Sequence, residues 1–454
     1  ARWDTDANWV GDLVPSMDKI HVFYTGLGSG ANILTAGIRP VRGLRFNDQA
    51  DDSLIFSGTQ LSVGTNGIGV YADSAGSHIL ACLVELSGPQ TWTNDSTAPL
   101  TAAAQISGAQ AFRKTGAGTV VLSANNAFTG GLFVDQGGVQ LNSTPSATGP
   151  GAIKVGTMAV ASGMADVVLV VGGEIMRKVT GWNATDIVAT MLHTEAEYNM
   201  GLTLPGFGGM FTRMYMEKYG LTERDLALIA VKDHENGAKN KYAHVQIPCT
   251  IEAIADGPEA DVVNNYIAEP LRMYSTCPVT DGAAAVLLVN MDAPIAKEFK
   301  KKPIRIAGVA SATDTHCVHN RKDPLKLEAV RIAGEKAYKM AGMGPKDISF
   351  AELHDAFVIL ELAISEEIGL FERGKSYLAV RKGETKLDGR IPINPSGGLK
   401  SKGHPVGGTG VSQVVELVRQ LRGEAEPGRQ VKDPKVGMSV NFGGFGNNVV
   451  AVIY

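Results

Sequence analysis

The sequence lacks the features that mark several large classes of protein. It has only four cysteines in 454 residues, namely Cys82, Cys249, Cys277 and Cys317. Their wide spacing does not resemble a disulfide framework, so we expect a reducing compartment. The absence of a run of about 18 apolar residues argues against a membrane-spanning helix. No charged segment followed by an apolar one opens the chain, so no signal peptide is visible.

Strong net charge is also missing. The chain has 42 Lys and Arg against 46 Asp and Glu, a formal charge of −4 at pH 7. This balance gives no reason to expect nucleic acid or an anionic membrane as a partner. Hydrophobic residues make up 44%, enough for packed cores. The length predicts two or three domains.

The composition changes abruptly near residues 156–158. Upstream, Gly, Thr, Ser, Asn and Ala dominate short alternating apolar runs; downstream, charged residues become common and helical patterns lengthen. We therefore predict a β-repeat segment at residues 1–157. We divide the remainder into residues 158–300, with a loop domain at about 177–275, and residues 301–454.

The upstream segment has the pattern of strands and turns throughout. Strand-like residues at 119–123, 132–134 and 139–141 alternate with turn signals rich in Gly and Asn, at 116–118, 125–126, 130–131 and 137–138. Short strands of even spacing suit a parallel β-solenoid, in which each coil stacks on the next. An ordinary β-sandwich is the alternative.

The downstream segment alternates strands with helices, which predicts an α/β layered fold. Buried strands are predicted at 167–171 and 284–289 and a helix at 221–231. Further along we predict strands at 304–310 and 348–353, helices at 326–340 and 357–367, and a closing strand pair at 437–440 and 449–453.

Three loops of this segment hold residues that suit catalysis. Glu352-Leu353-His354-Asp355 ends a predicted strand, and His404 lies in a glycine-dense loop before apolar residues at helical spacing. A third loop, at 441–447, offers backbone N–H groups to an oxyanion. Imidazole moves protons near neutral pH, and carboxyl-end loops of α/β sheets are where ligands bind. For His404 alone, a glycine-rich turn with a surface histidine is the plain alternative.

Together these loops resemble the thiolase family. The motifs are VASGMADVVLVVGGE, VKDHENGAKNKYAH, CPVTDGAAAVLL, ELHDAF, NPSGGLKSKGHPVGGTG and NFGGFGNN. They are most similar to archaeal-type acetyl-CoA acetyltransferases, relatives of the sterol-carrier thiolases, over about residues 158–454. The resemblance implies condensation or thiolytic cleavage of acyl-CoA through a covalent acyl-cysteine.

The same resemblance implies roles for individual residues. His404 would take the proton from the nucleophilic thiol, and His354 would stabilise the thioester oxyanion in the enolate half-reaction. Gly444 would donate its backbone N–H in a second oxyanion hole. Gly397 and Gly398 would let the pantetheine arm approach, and Asn441 and Phe445 belong to the substrate-binding loop.

Partners and cofactors are also implied by the resemblance. Coenzyme A would enter as part of the substrate, and no separate cofactor or metal is expected. The fold would form a homodimer or homotetramer. Among archaeal relatives, assembly with a hydroxymethylglutaryl-CoA synthase and a small zinc-ribbon bridging protein is expected.

The family's nucleophilic cysteine is missing from its usual place. Roughly a dozen residues before Met158 the chain has Ser146 and Thr148, and no cysteine occurs between Cys82 and Cys249. A hydroxyl is far less nucleophilic than a thiolate. We therefore expect an α/β thiolase-like layered fold with an incomplete N-terminal half, preceded by an all-β, solenoid-like segment, and we predict that this chain is inactive.

No other cysteine is predicted to replace it. The proton-shuttling cysteine of many thiolases is absent from 441–448, and Ala356 stands where sterol-carrier thiolases have a cysteine. We interpret Cys249 and Cys277 as packing residues. His316, Cys317 and His319 look like a metal cluster, yet no second pair has zinc-ligand spacing.

Other functions stay open at this point. A β-ketoacyl synthase also combines Cys with two His, and a non-catalytic chain would bind coenzyme A without turnover. Residues 1–156 resemble the passenger-associated β-strand repeat of bacterial autotransporters, in KTGAGTVVLSANNAFTGGLFVDQGGVQLNS, with Trp3, the segment at 7–9 and the pair at 109–110. That resemblance implies a secreted stalk and an exported or cell-surface location, whereas the thiolase-like part is expected in the cytoplasm.

Overall fold

The computed structural model describes residues 20–23, 31–46, 53–72, 74, 76–122, 127–128, 132–134, 138–141 and 149–454, and their side chains at 40–46, 53–72, 74, 76–122 and 151–454. The chain divides into two compact units, residues 1–144 with 162–165 and residues 145–161 with 166–454. The helix that contains the predicted boundary near residue 157 thus belongs to the second unit. Among the described residues, no helix has the length and apolar character to span a membrane.

The first unit is built from parallel strands. They are β1 Ile20–Phe23, β2 Ala31–Phe46, β3 Leu54–Val70, β4 His78–Leu80, β5 Leu83–Leu86, β6 Gln90–Asn94, β7 Leu100–Ala102, β8 Ile106–Gly108, β9 Phe112–Thr115, β10 Thr119–Leu122, β11 Ala127–Phe128, β12 Leu132–Val134 and β13 Gly138–Leu141. The long strands β2 and β3 pair along most of their length, and three ladders continue from β3, namely β3-β5-β8-β11, β3-β4-β7-β10-β13 and β3-β6-β9-β12. Three parallel ladders of short strands are the arrangement of a β-solenoid.

The solenoid-like stretch at residues 40–122 keeps its apolar side chains inside. Alternating residues of β6 are buried, and Trp92 packs edge-on against Phe112 with ring centroids 4.7 Å apart. Leu61, Ile68 and Val84 are also fully buried. The solenoid interpretation is therefore favoured over the sandwich. The predicted strands at 119–123, 132–134 and 139–141 are confirmed within one residue, whereas the predicted turns at 125–126 and 130–131, and Trp3 with residues 7–9, lie outside the described residues.

The second unit alternates strands with helices. Its elements are α1 Gly149–Ala161, β14 Val167–Glu174, α2 Gly181–Ala189, α3 Leu204–Tyr219, α4 Glu223–Gly237, α5 Ala260–Val263, β15 Tyr266–Ala268, β16 Leu271–Arg272, β17 Gly282–Val289, β18 Gly308–Thr313, α6 Glu328–Ala341, β19 Phe350–Leu353, α7 Val358–Glu367, α8 Ser376–Arg381, α9 Gly398–Ser401, α10 Val406–Arg422, β20 Gly437–Gly443 and β21 Asn448–Ile453. A π-helix at Glu252–Asp256 and 3₁₀ turns at Tyr198–Met200, Met273–Ser275, Pro294–Glu298, Val318–Asn320 and Pro345–Asp347 complete it.

Helix α10 lies between two sheets of this unit. One sheet has the order β18-β21-β20-β19, with β19 and β20 parallel, and the other pairs β14 with β17 antiparallel. Val411, Val414 and Leu417 of α10 are buried in the core that both sheets share. A Cβ added to Gly172 of β14 would lie 2.5 Å from the carbonyl oxygen of Gly407, so glycine is required where strand and helix cross. The predicted layered α/β fold is confirmed.

Two predicted elements differ from the structure. The strand expected at 304–310 begins only at Gly308, where a Cβ would lie 2.3 Å from the carbonyl oxygen of Ala337 in α6. The loop expected at 441–447 is shorter, because Asn441 and Phe442 pair with Val450 and Val449 inside the β20–β21 ladder. Strand pairing satisfies the backbone N–H and C=O groups of Asn441 and Phe442. The sequence pattern of this short stretch does not show that the strand extends so far.

Candidate active site

His354 follows β19 directly and is buried. Its side chain is 5% exposed, and its ring lies 4.5 Å from the ring of Phe442, centroid to centroid. The Asn441 side chain hydrogen-bonds to the His354 ring. The Nδ1 atom of His354 has no hydrogen-bond partner among the described residues. A buried polar atom without a partner is uncommon in folded proteins and often belongs to a functional site.

His404 is held in one orientation by the first turn of α10. Its Nδ1 lies 2.7 Å from the Thr409 hydroxyl, which itself donates to the carbonyl oxygen of Pro405 at 2.9 Å. Because the hydroxyl has a single proton, Nδ1 must be the donor to Thr409. The proton of the neutral ring is therefore on Nδ1, and Nε2 is the atom that can accept one.

The two imidazoles lie together. Their ring centroids are 4.9 Å apart, with the planes nearly perpendicular. Burial lowers the pKa of His404 to about 3, and the positive charges of Lys400 and Lys402 add to the effect. Burial also lowers the pKa of His354 well below its usual value, with the charge of His404 next in importance. Both rings are therefore neutral at pH 7, the form that accepts a proton or donates a hydrogen bond.

The glycine-rich segment that leads into α10 is fixed by its own backbone conformation. Asn394 has a positive φ of 54°, and its side-chain oxygen accepts from the backbone N–H of Leu353 at 2.7 Å. Gly398 has a φ of 57°, and a Cβ there would lie 2.3 Å from Asp355 Oδ2. The backbone N–H of Leu399 donates to Asp355 Oδ1 at 2.8 Å. These contacts hold the His404 loop against the residue after His354.

A buried charged network supports this loop from behind. Lys232 of α4 donates to both carboxylate oxygens of Glu361, at 2.9 and 2.8 Å, and to the carbonyl oxygen of Ile393 at 2.8 Å. Asn394 also donates to Glu361, at 3.0 Å. Burial raises the pKa of Asp233 well above its usual range, although Lys232 opposes the shift. Asp233, Asp355 and Glu361 could together surround a cation, yet Lys232 already balances part of their charge.

A cavity of about 450 Å³ opens beside the histidine pair. His354 and His404 line it together with the turn that follows β20. Apolar side chains form most of the remaining wall: Ala184, Val188, Met191, Leu204, Ile267, Met273, Val279, Phe357, Leu360, Val406 and Phe442. An apolar cavity with a few converging polar groups is the usual form of a small-molecule site.

The cavity gathers some of the predicted site residues and not others. His354, His404, Gly444 and Phe445 line it, whereas Gly397, Gly398 and Asn441 do not. A Cβ on Gly397 would lie 2.7 Å from the Cα of Gly237, and Gly398 lies against Asp355. The close contacts of both glycines are thus with the protein itself, and their contact with substrate stays a prediction.

Residues that the sequence did not single out also reach the cavity. Lys400 and Cys277 both line it. The interpretation of Cys277 as a packing residue therefore needs correction. Its neighbours in CPVTDG offer no periodicity that separates a cavity wall from a core, so only the fold could place it.

The His316, Cys317 and His319 cluster makes contacts of another kind. His319 Nδ1 lies 3.0 Å from Glu197 Oε1, and His316 Nδ1 lies 3.0 Å from Asn447 Nδ2. Within residues 151–454, whose side chains the structure describes, only one set of three or more His, Cys, Asp or Glu side chains is close enough to share a metal ion. That set is Asp233, Asp355 and Glu361.

Comparison with known proteins gives the following matches. The sequence model of the thiolase N-terminal domain matches residues 109–292, and that of the thiolase C-terminal domain matches residues 310–454. The acetyl-CoA acetyltransferase of Methanothermobacter thermautotrophicus is 39% identical over 308 residues, covering 68% of this chain and 77% of that protein. The acetyl-CoA acetyltransferase of Methanocaldococcus jannaschii is 39% identical over 344 residues, covering 70% of this chain and 84% of that protein.

A solved structure is similar as well. The structure titled Ltp2-ChsH2(DUF35) aldolase superposes with a TM-score of 0.59 at 26% identity, covering 72% of this chain and 80% of that one. The matches to the family models include both histidines and the turn after β20. The resemblance of residues 1–156 to an autotransporter repeat stays a prediction, and the match to the N-terminal domain begins within that stretch, at residue 109.

Proposed function

The chain belongs to the thiolase family, and from this we propose that it binds acyl-CoA thioesters in the cavity and carries out enolate chemistry on them. Its relatives named acetyl-CoA acetyltransferase support acetyl-CoA as the substrate. The observation that carries the proposal is the histidine pair, with ring centroids 4.9 Å apart at the wall of an apolar cavity.

The proposed chemistry starts with loss of a proton from the carbon next to the thioester. His404 Nε2 accepts this proton, because Nδ1 is already committed to Thr409. The negative charge that develops on the thioester oxygen needs donors in a dry site. His354 supplies one donor. The backbone N–H of Gly444, at a turn with a φ of 61°, is proposed as a donor in a second oxyanion hole.

The chain lacks a cysteine at the position where the family forms its covalent acyl-enzyme. Ser146 and Thr148, the hydroxyl residues nearest that position in the sequence, lie outside the described residues. We propose that multiple-turnover thiolysis is absent or very slow in this chain, because no cysteine occurs between Cys82 and Cys249.

We propose that the N-terminal half of the thiolase fold is incomplete. Support comes from the sheet of β14 and β17, in which only two strands pair among the described residues. Leu169 and Val171 of β14 and Leu287 of β17 are 63%, 59% and 44% exposed. Apolar side chains on both strands of a pair are usually covered by a further strand or layer.

Aldolase-type cleavage of a carbon–carbon bond is the second candidate. The similar structure titled an aldolase supports it, and so does the absence of the usual thiol, because an aldol cleavage also passes through an enolate and needs a base rather than a covalent thioester. A β-hydroxyacyl-CoA would then be cleaved and acetoacetyl-CoA would not.

Exchange of the α-protons of acetyl-CoA in D₂O, followed by proton NMR, tests the shared enolate step. We expect exchange with the wild type and a loss of about 10²–10⁴-fold in His404→Ala, the range for removal of a general base. His193→Ala is the matched control, because His193 does not line the cavity. Exchange that is unchanged in His404→Ala would refute the assignment of the base.

Assembly and location are further proposals. We expect a homodimer or homotetramer, which light scattering would detect, and assembly with a hydroxymethylglutaryl-CoA synthase and a zinc-ribbon bridging protein, which co-purification would test. A cytoplasmic location of the thiolase part stays a prediction.

A further inference from the structure

Cys277 lies on a segment that runs between the two histidine loops. Its backbone N–H donates to the carbonyl oxygen of Ala356 at 2.9 Å, and Thr276 forms an antiparallel bridge with Phe357. Two residues further on, Val279 forms a parallel bridge with His404. Cys277, Val279 and both histidines line the same cavity. The fold therefore brings a thiol to the wall of the cavity that both histidines line.

A buried cation lies beside this thiol. Lys400 Nζ donates to the carbonyl oxygen of Ala356 at 2.6 Å, the same oxygen that accepts from the backbone of Cys277. The ammonium and the Cys277 backbone thus share one acceptor. Lys400 is 2% exposed, so solvent screens its charge little. A positive charge next to a cysteine favours the thiolate, the form that attacks thioesters.

A second polar group of the cavity, His354, has an atom that can bind a ligand. His354 is only 5% exposed, and its Nδ1 has no hydrogen-bond partner among the described residues. An incoming carbonyl oxygen or thiol would give this atom the hydrogen bond that the protein alone does not provide.

We propose that Cys277 is an acyl-accepting residue, which takes the acyl group of a CoA thioester bound in the cavity. This inference rests on the proposed function. The Cys277 sulfur forms a bond to the thioester carbonyl carbon, and the bond from that carbon to the CoA sulfur breaks. The proton of the Cys277 thiol passes to His404 Nε2 and then to the departing CoA thiolate. One acyl-cysteine and one free CoA thiol result.

The histidine is needed because the thiol is protonated at rest. Burial raises the pKa of Cys277 above its usual value, although Lys400 opposes the shift. The neutral His404 ring is then the group that can receive the proton during attack.

The other cysteines lack this setting. Cys249 and Cys317 do not line the cavity, and Cys82 belongs to the solenoid-like stretch. Burial raises the pKa of Cys249 to about 12, and the nearby charge of Asp233 adds to it. Cys249→Ser is therefore the matched control.

The full chain is incubated with acetyl-CoA, quenched in acid and mapped by peptide mass spectrometry. We expect one acetyl group on the Cys277 peptide, removable by neutral hydroxylamine, which cleaves thioesters. Cys277→Ser and Cys277→Ala should abolish this label, Cys249→Ser should keep it, and His404→Gln should slow it at least tenfold. Labelling of the urea-unfolded chain gives the uncatalysed background.

Failure of this inference differs from failure of the proposed function. CoA binding, measured by calorimetry on each variant, reports the function and shows that the variants are folded. Binding with no label on Cys277, or labelling no faster than in urea, overturns the role of Cys277 alone. No CoA binding, but acetylation of Cys277 by S-acetyl-N-acetylcysteamine faster than in urea, supports the acyl-accepting thiol and overturns the CoA site.

Discussion

The two units of this protein use polar contacts in different ways. In the solenoid-like stretch they join neighbouring coils: Thr93 and Thr115, whose hydroxyls are 2.8 Å apart, are separated by 22 residues in sequence. In the thiolase-like unit Lys232 binds Glu361 across 129 residues and the carbonyl of Ile393 across 161. Repeated contacts between coils make a scaffold, whereas contacts between distant segments bring unlike side chains to one point. The chemistry is therefore expected in the second unit.

The largest expected effect is the loss of the buried cation. Lys232→Met leaves Glu361 without its cationic partner and should destabilise the second unit by about 3–5 kcal/mol, the usual cost of breaking a buried ion pair. Urea unfolding followed by helical circular dichroism measures it, because the described helices all lie in this unit.

Lys301→Met is the control for Lys232. Lys301 is 68% exposed in its pair with Glu424, so this change should cost about 0–1 kcal/mol. Equal costs for the two variants would contradict the distinction between a convergent network and a surface pair.

A similar loss is expected for the scaffold alone. Leu61→Ala removes a fully buried side chain and should destabilise the solenoid-like stretch by about 3 kcal/mol. Hydrogen exchange resolved by peptide should rise in residues 54–122, while CoA binding and α-proton exchange stay unchanged. A loss of exchange chemistry would show that the scaffold takes part in the site.

Acid should weaken the second unit through its histidines. The folded pKa values of His404 and His354 lie below the ordinary 6.5 of an unfolded histidine, so the unfolded chain binds protons that the folded chain does not. Their stabilisation is complete above pH 6.5 and falls as the pH drops toward the folded values, by about 2 kcal/mol at pH 5 for His404, to which His354 adds a loss of the same sign. Urea unfolding at pH 7 and pH 5 tests this. The double variant His354→Gln and His404→Gln should lose that much less.

A smaller effect is expected for the residue that orients the base. Thr409→Val removes the acceptor for His404 Nδ1 and should slow α-proton exchange about tenfold, equivalent to about 1.4 kcal/mol. Thr409→Ser keeps the hydroxyl and should retain most of the rate. Equal losses in the two variants would indicate that packing of Thr409, rather than its hydrogen bond, matters.

The smallest expected effect concerns one contact between coils. Thr93→Val should cost about 1 kcal/mol or less, because one exchanged hydrogen bond contributes about that much. A double-mutant cycle with Thr115→Val isolates the pair. A coupling energy near zero would leave the ladder and the apolar core as the sole determinants of coil spacing.

Sequence reasoning found the repeated and local features. The predictions for strands β12, β14 and β17 lie close to the observed bounds, and α10 lies where apolar residues at helical spacing follow His404, since apolar periodicity is a property of adjacent residues. The histidines were found because each stands in a distinctive loop. The sequence predicts a packing role for Cys277, because a single cysteine in the sequence looks the same whether it lies in a core or in a cavity wall.

The sequence by itself determined the composition of two unlike segments, the order of strands and helices in the second, and the family motifs that include His354 and His404. Only the tertiary structure decided that Lys400, Cys277 and both imidazoles share one cavity, and that Thr409 leaves His404 Nε2 open. The physical reason is that burial and charge proximity shift proton affinities through space. Segments more than 40 residues apart in the chain, such as those of Lys400 and Ala356, meet only after the sheets and α10 have packed.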